Sequence, residues 1–240
     1  MPVKFNINQV MKLWKENGGK SKFEDSLKKV LTYIQNDKNI SNIDEASYLL
    51  ATAKAESDYS LQRWEADYLC GEAGVPYKNE PCQRAIDYYA SSNGKKNYFD
   101  LGVDDKGMAY FGRGLIQLTG KANYEKYGKL IGVDLAKDGD KALEPKNSYK
   151  VASTYLNQRT WKHIANGDLL RARKSVNGGT KGVDDVNEAF FLWVKIFENS
   201  KVNFKGTKLR RKTRRIILFS SIGVALVGIA VLTTTLINKK

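Results

Sequence analysis

A mainly α-helical domain followed by one C-terminal transmembrane helix is the architecture this sequence predicts, on three observations. Apolar residues recur at helical spacing in several separate segments, whereas alternating, strand-like runs are few. Residues 216–237 form an uncharged stretch of 22 residues at the end of the chain. No internal repeat interrupts the 240 residues, a length that suits one domain of about 200 residues with a short appendage.

Taken in order, the first twenty residues scatter Lys4, Lys12 and Lys15 among apolar positions and contain no apolar run with a small-residue cleavage site, so no secretory signal is expected. Phe23, Leu27, Val30, Leu31 and Ile34 form the apolar stripe of an amphipathic helix. Residues 36–42 read as a polar loop. Asn42 followed by Glu45 is a helix-capping pattern, and Ala46, Leu49, Leu50 and Ala53 carry the apolar face on to Glu56. Ser57-Asp58-Tyr59-Ser60 then breaks the helix.

Residues 70–107 are rich in Gly, Asn, Pro, Lys and Asp with scattered tyrosines, and predict a long irregular binding surface rather than core. Further on, residues 147–158 and 168–174 predict short helices. Val186, Phe190, Trp193, Val194 and Phe197 mark a strong closing helix.

The domain is thus expected over residues 1–204, with a basic linker at 205–215, a spanning helix at 216–237 and a short basic tail at 238–240. As a helix the uncharged run is about 33 Å long, against a hydrocarbon core of about 30 Å. Seven basic residues precede it between Lys205 and Arg215, and only Lys239 and Lys240 follow. The positive-inside rule then keeps the domain on the cytoplasmic face of the producing cell's membrane, with the basic run against anionic headgroups. Lipid is accordingly one expected partner.

The overall charge of +14 is concentrated in that tail, since the first 204 residues hold 31 basic against 26 acidic side chains. A basic stripe on the domain is missing, so nucleic acid is not an expected partner. With His163 as the one histidine and Cys70 and Cys82 as the two cysteines, clustered zinc ligands are not available and no metal or other cofactor is expected. A Cys/His peptidase built on Cys70 and His163 is formally open but disfavoured. Eleven residues separate the cysteines, which would close a disulfide in an oxidising compartment.

The most distinctive stretch is Ala109-Tyr110-Phe111-Gly112-Arg113-Gly114-Leu115-Ile116-Gln117-Leu118-Thr119-Gly120, continuing through Asn123 and Tyr124. Its glycines permit close backbone approach to a ligand. Alternation of Leu115, Gln117 and Thr119 with Ile116 and Leu118 predicts a short extended segment with a polar face toward a cleft.

Phe-Gly-Arg-Gly-x-Ile-Gln-Leu-Thr resembles the signature of glycoside hydrolase family 19, the chitinases and phage endolysins that cleave β-1,4 bonds beside N-acetylglucosamine-type sugars. With further pieces in the right order, the resemblance covers roughly residues 40–200. It implies an α+β, lysozyme-like fold within the mainly helical class. It also implies that Glu56, in Ala53-Lys54-Ala55-Glu56-Ser57, is the general acid, and that Glu65, in Arg63-Trp64-Glu65-Ala66, is the general base. Gln117 would contact the sugar, Thr119 would hold the attacking water, and Asn177 of Val176-Asn177-Gly178-Gly179 would bind the N-acetyl sugar or the water. Tyr110 and Arg113 would shape the cleft, with a purely structural role open for Arg113.

Glu56 and Glu65 are nine residues apart. On one continuous helix that spacing would advance about 13.5 Å and turn about 180°, which would separate the carboxylates. The chain must therefore turn between Ser57 and Trp64. An inverting mechanism then needs the carboxyls roughly 6.5–9.5 Å apart, with room for a water.

Two departures stand out. Ala55 occupies a position where the family often has His, and Val186 follows Gly182-Val183-Asp184-Asp185 where an Arg is usual. A lytic transglycosylase using Glu56 alone is the rival enzymatic reading, through Glu56-Ser57 and Gly114-Leu115-Ile116-Gln117-Leu118. The rival outside enzymes is a membrane-anchored structural or glycan-binding virion protein. The basic charge and the membrane tail favour peptidoglycan over chitin, and a bacteriophage lytic enzyme, in a virion's internal membrane or at the host inner membrane, over a secreted chitinase. Other virion proteins are further expected partners.

Overall fold

α3, Ile43–Ser57, is the element around which the others pack, and twelve of its fifteen residues are buried. The structure, a computed structural model, describes residues 4–71, 73–77, 80–90 and 97–200. In chain order the helices are α1 (Ile7–Glu16), α2 (Glu24–Ile34), α3, α4 (Gln83–Ala90), α5 (Lys121–Ile131), α6 (Pro145–Arg159), α7 (Trp161–Ala165), α8 (Leu169–Asn177) and α9 (Val183–Asn199). Short 3-10 turns lie at Asp67–Cys70, Phe99–Leu101 and Gly139–Leu143.

The expected mainly helical class holds. The α+β expectation is reduced, because β pairing among the described residues consists of isolated bridges, Trp64 with Arg113, Val103 with Ala109, and Arg113 with Leu118. None of the described helices is long and apolar enough to cross a membrane. The spans at 205–215, 216–237 and 238–240 lie outside the described residues.

α3 begins where its capping pattern predicts: the Asn42 side chain accepts from the Glu45 N–H at 2.9 Å. The Glu45 carboxylate reaches back one residue further than expected, to the N–H and hydroxyl of Ser41. α9 covers α3 along its length, and α1 closes the same core from the N-terminal side. Trp14 of α1 stacks on Trp193 of α9, with ring centroids 6.2 Å apart, and Tyr59 meets both rings edge-on. Truncating a buried aromatic such as Trp193 typically costs about 3–5 kcal/mol.

A second, smaller cluster holds Trp64, Ala85, Tyr89, Phe111 and Leu143. It corrects the expectation for residues 70–107: this stretch folds α4, and Ala85 and Tyr89 are fully buried. Tyr89 stacks on Phe111 at 4.2 Å between centroids. Cys70 and Cys82 form a disulfide that joins the first 3-10 turn to the start of α4. That bond removes the thiol a Cys/His peptidase would need.

Candidate active site

The site is built where the end of α3 meets the smaller cluster. Ser57, the last residue of α3, donates its hydroxyl to the Ala53 and Leu115 carbonyls at 3.0 and 2.9 Å, tying the helix end to the Arg113–Leu118 turn. Asp58 and Tyr59 then take left-handed conformations, φ 51° and 68°, and turn the chain sharply away from the helix axis. Two consecutive non-glycine residues in that region are strained. Burial of the Tyr59 ring and its hydrogen bond from Trp193 Nε1 at 3.0 Å offset that cost. Here is the turn that the nine-residue spacing requires.

After it, Trp64 is buried and anchors the chain through Nε1 to the Val75 carbonyl. Residues 63–65 run beside 112–114: Glu65 N–H donates to the Gly112 carbonyl and Gly114 N–H to the Arg63 carbonyl, each at 2.7 Å. Glycine is required here by space. A Cβ on Gly112 would lie 3.1 Å from Gln117 Oε1 and 3.3 Å from Thr119 Oγ1, and one on Gly114, at φ +77°, 2.8 Å from the Ala142 carbonyl oxygen.

Residues 113–118 do not form the extended segment that their alternation predicts. They reverse in a tight turn closed by Arg113 and Leu118, with Gln117 left-handed at φ 52°. Alternating polarity suits a turn equally well, because Leu115 and Leu118 fall back into the core while Gln117 and Thr119 stay partly open. Gln117 commits its Nε2 protons to the Arg63 and Gly114 carbonyls. Thr119 commits its hydroxyl proton to the Gln117 carbonyl at 2.9 Å. What the two side chains leave available is acceptor oxygen.

These segments enclose a cavity of about 570 Å³. Its walls include Glu56 from α3, Glu65, Gln117 and Thr119, and, from the end of α8, Asn177. Five of the seven residues singled out in the sequence therefore share one cavity. Asn177 is exposed and braced by its own loop, donating to the Lys181 carbonyl and accepting from the Gly179 N–H. Tyr155 of α6, also in the wall, donates to the Val176 carbonyl and holds the end of α8 in place.

Tyr110 and Arg113 are elsewhere, and their expected place at the substrate is corrected. Tyr110 is 2% exposed, with its hydroxyl directed to the Ala136 and Val103 carbonyls. Arg113 is 1% exposed, with its guanidinium 3.6 Å above the Phe111 ring centre. It donates to the Ala109 carbonyl and the Tyr124 hydroxyl and pairs with Asp140 at 3.2 Å. Both residues hold up the floor beneath the site.

Two participants escaped the sequence reading. Arg173 of α8 donates to Glu56 Oε1 at 2.6 Å and, through Nε, to the Lys181 carbonyl at 3.1 Å. Val186 stands where the resemblance expects an arginine, and the guanidinium that reaches Glu56 comes from α8 instead. Tyr98 is the other; its hydroxyl donates to Glu65 Oε1 at 2.9 Å while Gly112 N–H donates to Oε2 at 3.1 Å. Burial first, and the Glu65 charge second, push the Tyr98 phenol well above its ordinary range, so it stays a donor at neutral pH. Neither could be read from spacing, because 117 residues separate Arg173 from Glu56 and 33 separate Tyr98 from Glu65. Among the described residues, His, Cys, Asp and Glu nowhere gather in a group of three that could hold a metal ion.

With this geometry in view, residues 59–163 match the family model for chitinase class I, glycoside hydrolase family 19. The matched span contains Glu65, Gln117 and Thr119 but begins three residues after Glu56 and ends before Arg173 and Asn177. A glycosyl hydrolase family 19 domain-containing protein from Haemophilus influenzae is 38% identical over 82 residues. That alignment takes in 33% of this chain, which spans 38% of the relative's length. In solved structures, chitinase C from Streptomyces griseus and a mutant of a chitinase C each superpose with a TM-score of 0.51 at 18% identity. Each superposition covers 85% of this chain and 94% of the other, a likeness of fold.

Proposed function

We propose that this chain hydrolyses β-1,4 bonds between the amino sugars of peptidoglycan by a two-carboxylate, inverting mechanism. The observation that carries the reading is the single cavity walled by both Glu56 and Glu65, with Gln117, Thr119 and Asn177 beside them. Glu56 as acid protonates the leaving glycosidic oxygen as the bond to the anomeric carbon breaks. Glu65 as base takes a proton from a water attacking the opposite face of the sugar, and charge spreads over an oxocarbenium-like transition state. Thr119 offers that water an acceptor, while Gln117 and Asn177 contact the sugar. The solved relatives are chitinases by name. Peptidoglycan is preferred here because it is acidic and the first 204 residues carry 31 basic against 26 acidic side chains.

The same reading makes the protein a membrane-anchored lytic enzyme of a bacteriophage. Its support is in the sequence: residues 216–237 are uncharged and seven basic residues precede them. A domain on the cytoplasmic face does not reach the wall. The protein therefore works either from the internal membrane of a virion or after the host membrane has been breached.

The test is mass spectrometry of products after the full chain, in detergent, is incubated with purified peptidoglycan and, separately, with chitin oligomers. Reducing-end muropeptides that vanish in Glu56→Gln and Glu65→Gln support the proposal. Anhydro-muropeptides that persist in Glu65→Gln replace it with a transglycosylase using Glu56 alone. A folded chain that releases no product from either substrate points to a glycan-binding or structural virion protein.

A further inference from the structure

We infer that Tyr98 is a positioning residue for Glu65, holding the base in the orientation from which it takes a proton from water. The inference rests on the proposed hydrolase reading and goes beyond it, to what sets the direction of the base. Glu65 is fixed at its backbone on both sides. Its N–H donates to the Gly112 carbonyl at 2.7 Å, and its own carbonyl accepts from the Tyr89 hydroxyl. Those bonds place the Cα but leave the side-chain torsions free.

The carboxylate takes a donor on each oxygen, the Gly112 N–H at 3.1 Å and the Tyr98 hydroxyl at 2.9 Å, and Tyr88 hydrogen-bonds to it as well. A carboxylate has about four lone-pair sites, so these donors leave at least one for water. Two donors on opposite oxygens set the plane of the group and thereby the direction of the remaining lone pairs. Tyr88 also faces this carboxylate, but the Tyr98 ring lies in the cavity wall with the reacting groups.

Tyr98 is itself anchored. Its N–H donates to the Tyr89 carbonyl at 3.0 Å, and its ring meets the Tyr89 ring edge-on at 6.1 Å. The Tyr89 ring is in turn stacked on Phe111, the neighbour of Gly112. The Gly112 and Tyr98 donors are therefore mounted on one aromatic stack, which keeps their separation constant. Catalysis is sensitive to displacements of this kind, since misplacing a reacting group by about 1 Å costs on the order of 100-fold in rate.

The experiment is steady-state kinetics on peptidoglycan with the full chain carrying Tyr98→Phe, Glu65→Ala or both, with a thermal melt of each. Phenylalanine keeps the ring contacts and removes only the hydroxyl. The expected result is a roughly tenfold fall in kcat for Tyr98→Phe, with KM within about twofold of wild type. Added to Glu65→Ala, the same change should have no further effect on the residual rate, because a group that acts through Glu65 has nothing left to act on. An unchanged kcat, a rise in KM alone, an equal loss in both backgrounds, or loss of the folded state in Tyr98→Phe would each overturn the inference. A wild-type chain without glycosidase activity overturns the hydrolase reading as well, whereas an active wild type unaffected by Tyr98→Phe overturns this inference only.

Discussion

The Arg173 guanidinium stands 2.6 Å from Glu56 Oε1 and so joins α8 to the end of α3. The pair is largely withdrawn from water, with side-chain exposures of 8% for Arg173 and 20% for Glu56. At that depth the two partners are not equivalent to a surface ion pair. Removing the guanidinium leaves the Glu56 carboxyl without that donor in a poorly solvated site. Arg173→Met is expected to lower stability by about 3 kcal/mol and to reduce kcat/KM by roughly 10- to 100-fold. Arg173→Lys should recover most of the stability but less of the activity, because one ammonium cannot copy the fork that holds both Glu56 and the Lys181 carbonyl. Chemical denaturation and initial rates on peptidoglycan measure the two effects separately.

How much of this was legible in the sequence depends on the range of the interaction. Glu56 could be placed because its determinants are local: the Asn42 cap and the stripe through Ala46, Leu49, Leu50 and Ala53 define α3. The turn before Glu65 followed from helix geometry alone. The reversal at 113–118 was not legible, because the same alternation serves a strand and a turn, and the deciding φ angles at Gly114 and Gln117 have no signature in polarity. α1 was missed although Ile7, Val10, Met11 and Trp14 fall at helical spacing and the last three are its buried face. Arg173 and Tyr98 are held by tertiary contacts that no window of sequence contains.

The two glycines of the Gly112-Arg113-Gly114 segment should fail differently. Gly112→Ala sets a methyl 3.1 Å from Gln117 Oε1 and 3.3 Å from Gln117 Cβ and Thr119 Oγ1, side-chain atoms that must give by a few tenths of an ångström. Activity should fall at least tenfold while the melting temperature changes little. Gly114→Ala meets the backbone carbonyl of Ala142 and carries a left-handed φ, so it should destabilise the fold by about 1–3 kcal/mol or more. Parallel melts and rates would expose an error if both variants behaved alike.

Tyr110 and Arg113 give a complementary check on which residues are structural. Tyr110→Phe removes a buried hydroxyl from the Ala136 carbonyl and is expected to cost about 1–2 kcal/mol with KM unchanged. Arg113→Met takes the buried guanidinium from Asp140, Tyr124 and the Phe111 ring, with an expected loss of about 3–5 kcal/mol. A raised KM in stably folded Tyr110→Phe would return Tyr110 to the substrate.

The Cys70–Cys82 bond braces the wall that carries Glu65. It closes a loop over a sequence separation of 12, for which chain entropy predicts about 3 kcal/mol of stabilisation. α4, held by it, supplies Tyr89, whose hydroxyl reaches the Glu65 carbonyl. Reduction, or Cys70→Ser with Cys82→Ser, should therefore loosen this wall before the α3–α9 core. Activity is expected to fall under reductant at temperatures where the helical circular dichroism is still intact. Simultaneous loss of both signals would mean that the two clusters unfold as one.

Alkaline unfolding offers a test of the core itself. Burial pushes the phenols of Tyr59, Tyr77, Tyr89 and Tyr124 upward, that of Tyr124 to about 12 against the partial opposition of Arg113. In the unfolded chain these phenols ionise near their ordinary value of about 10. A folded-state value above the unfolded one means that the folded protein keeps its protons where the unfolded chain releases them. The stabilisation is then complete below about pH 10 and is lost as pH rises toward the folded values. Each such tyrosine costs about 1.4 kcal/mol per pH unit in that window, so four together cost about 5 kcal/mol per unit. A domain of ordinary stability should unfold cooperatively within one or two units above pH 10. Phenolate absorbance from these residues should then appear in the same step in which helical circular dichroism disappears. If all the tyrosines titrated smoothly near pH 10 with the helices intact, the aromatic clusters that hold Trp64, Phe111 and the Glu65 wall would not be packed as described.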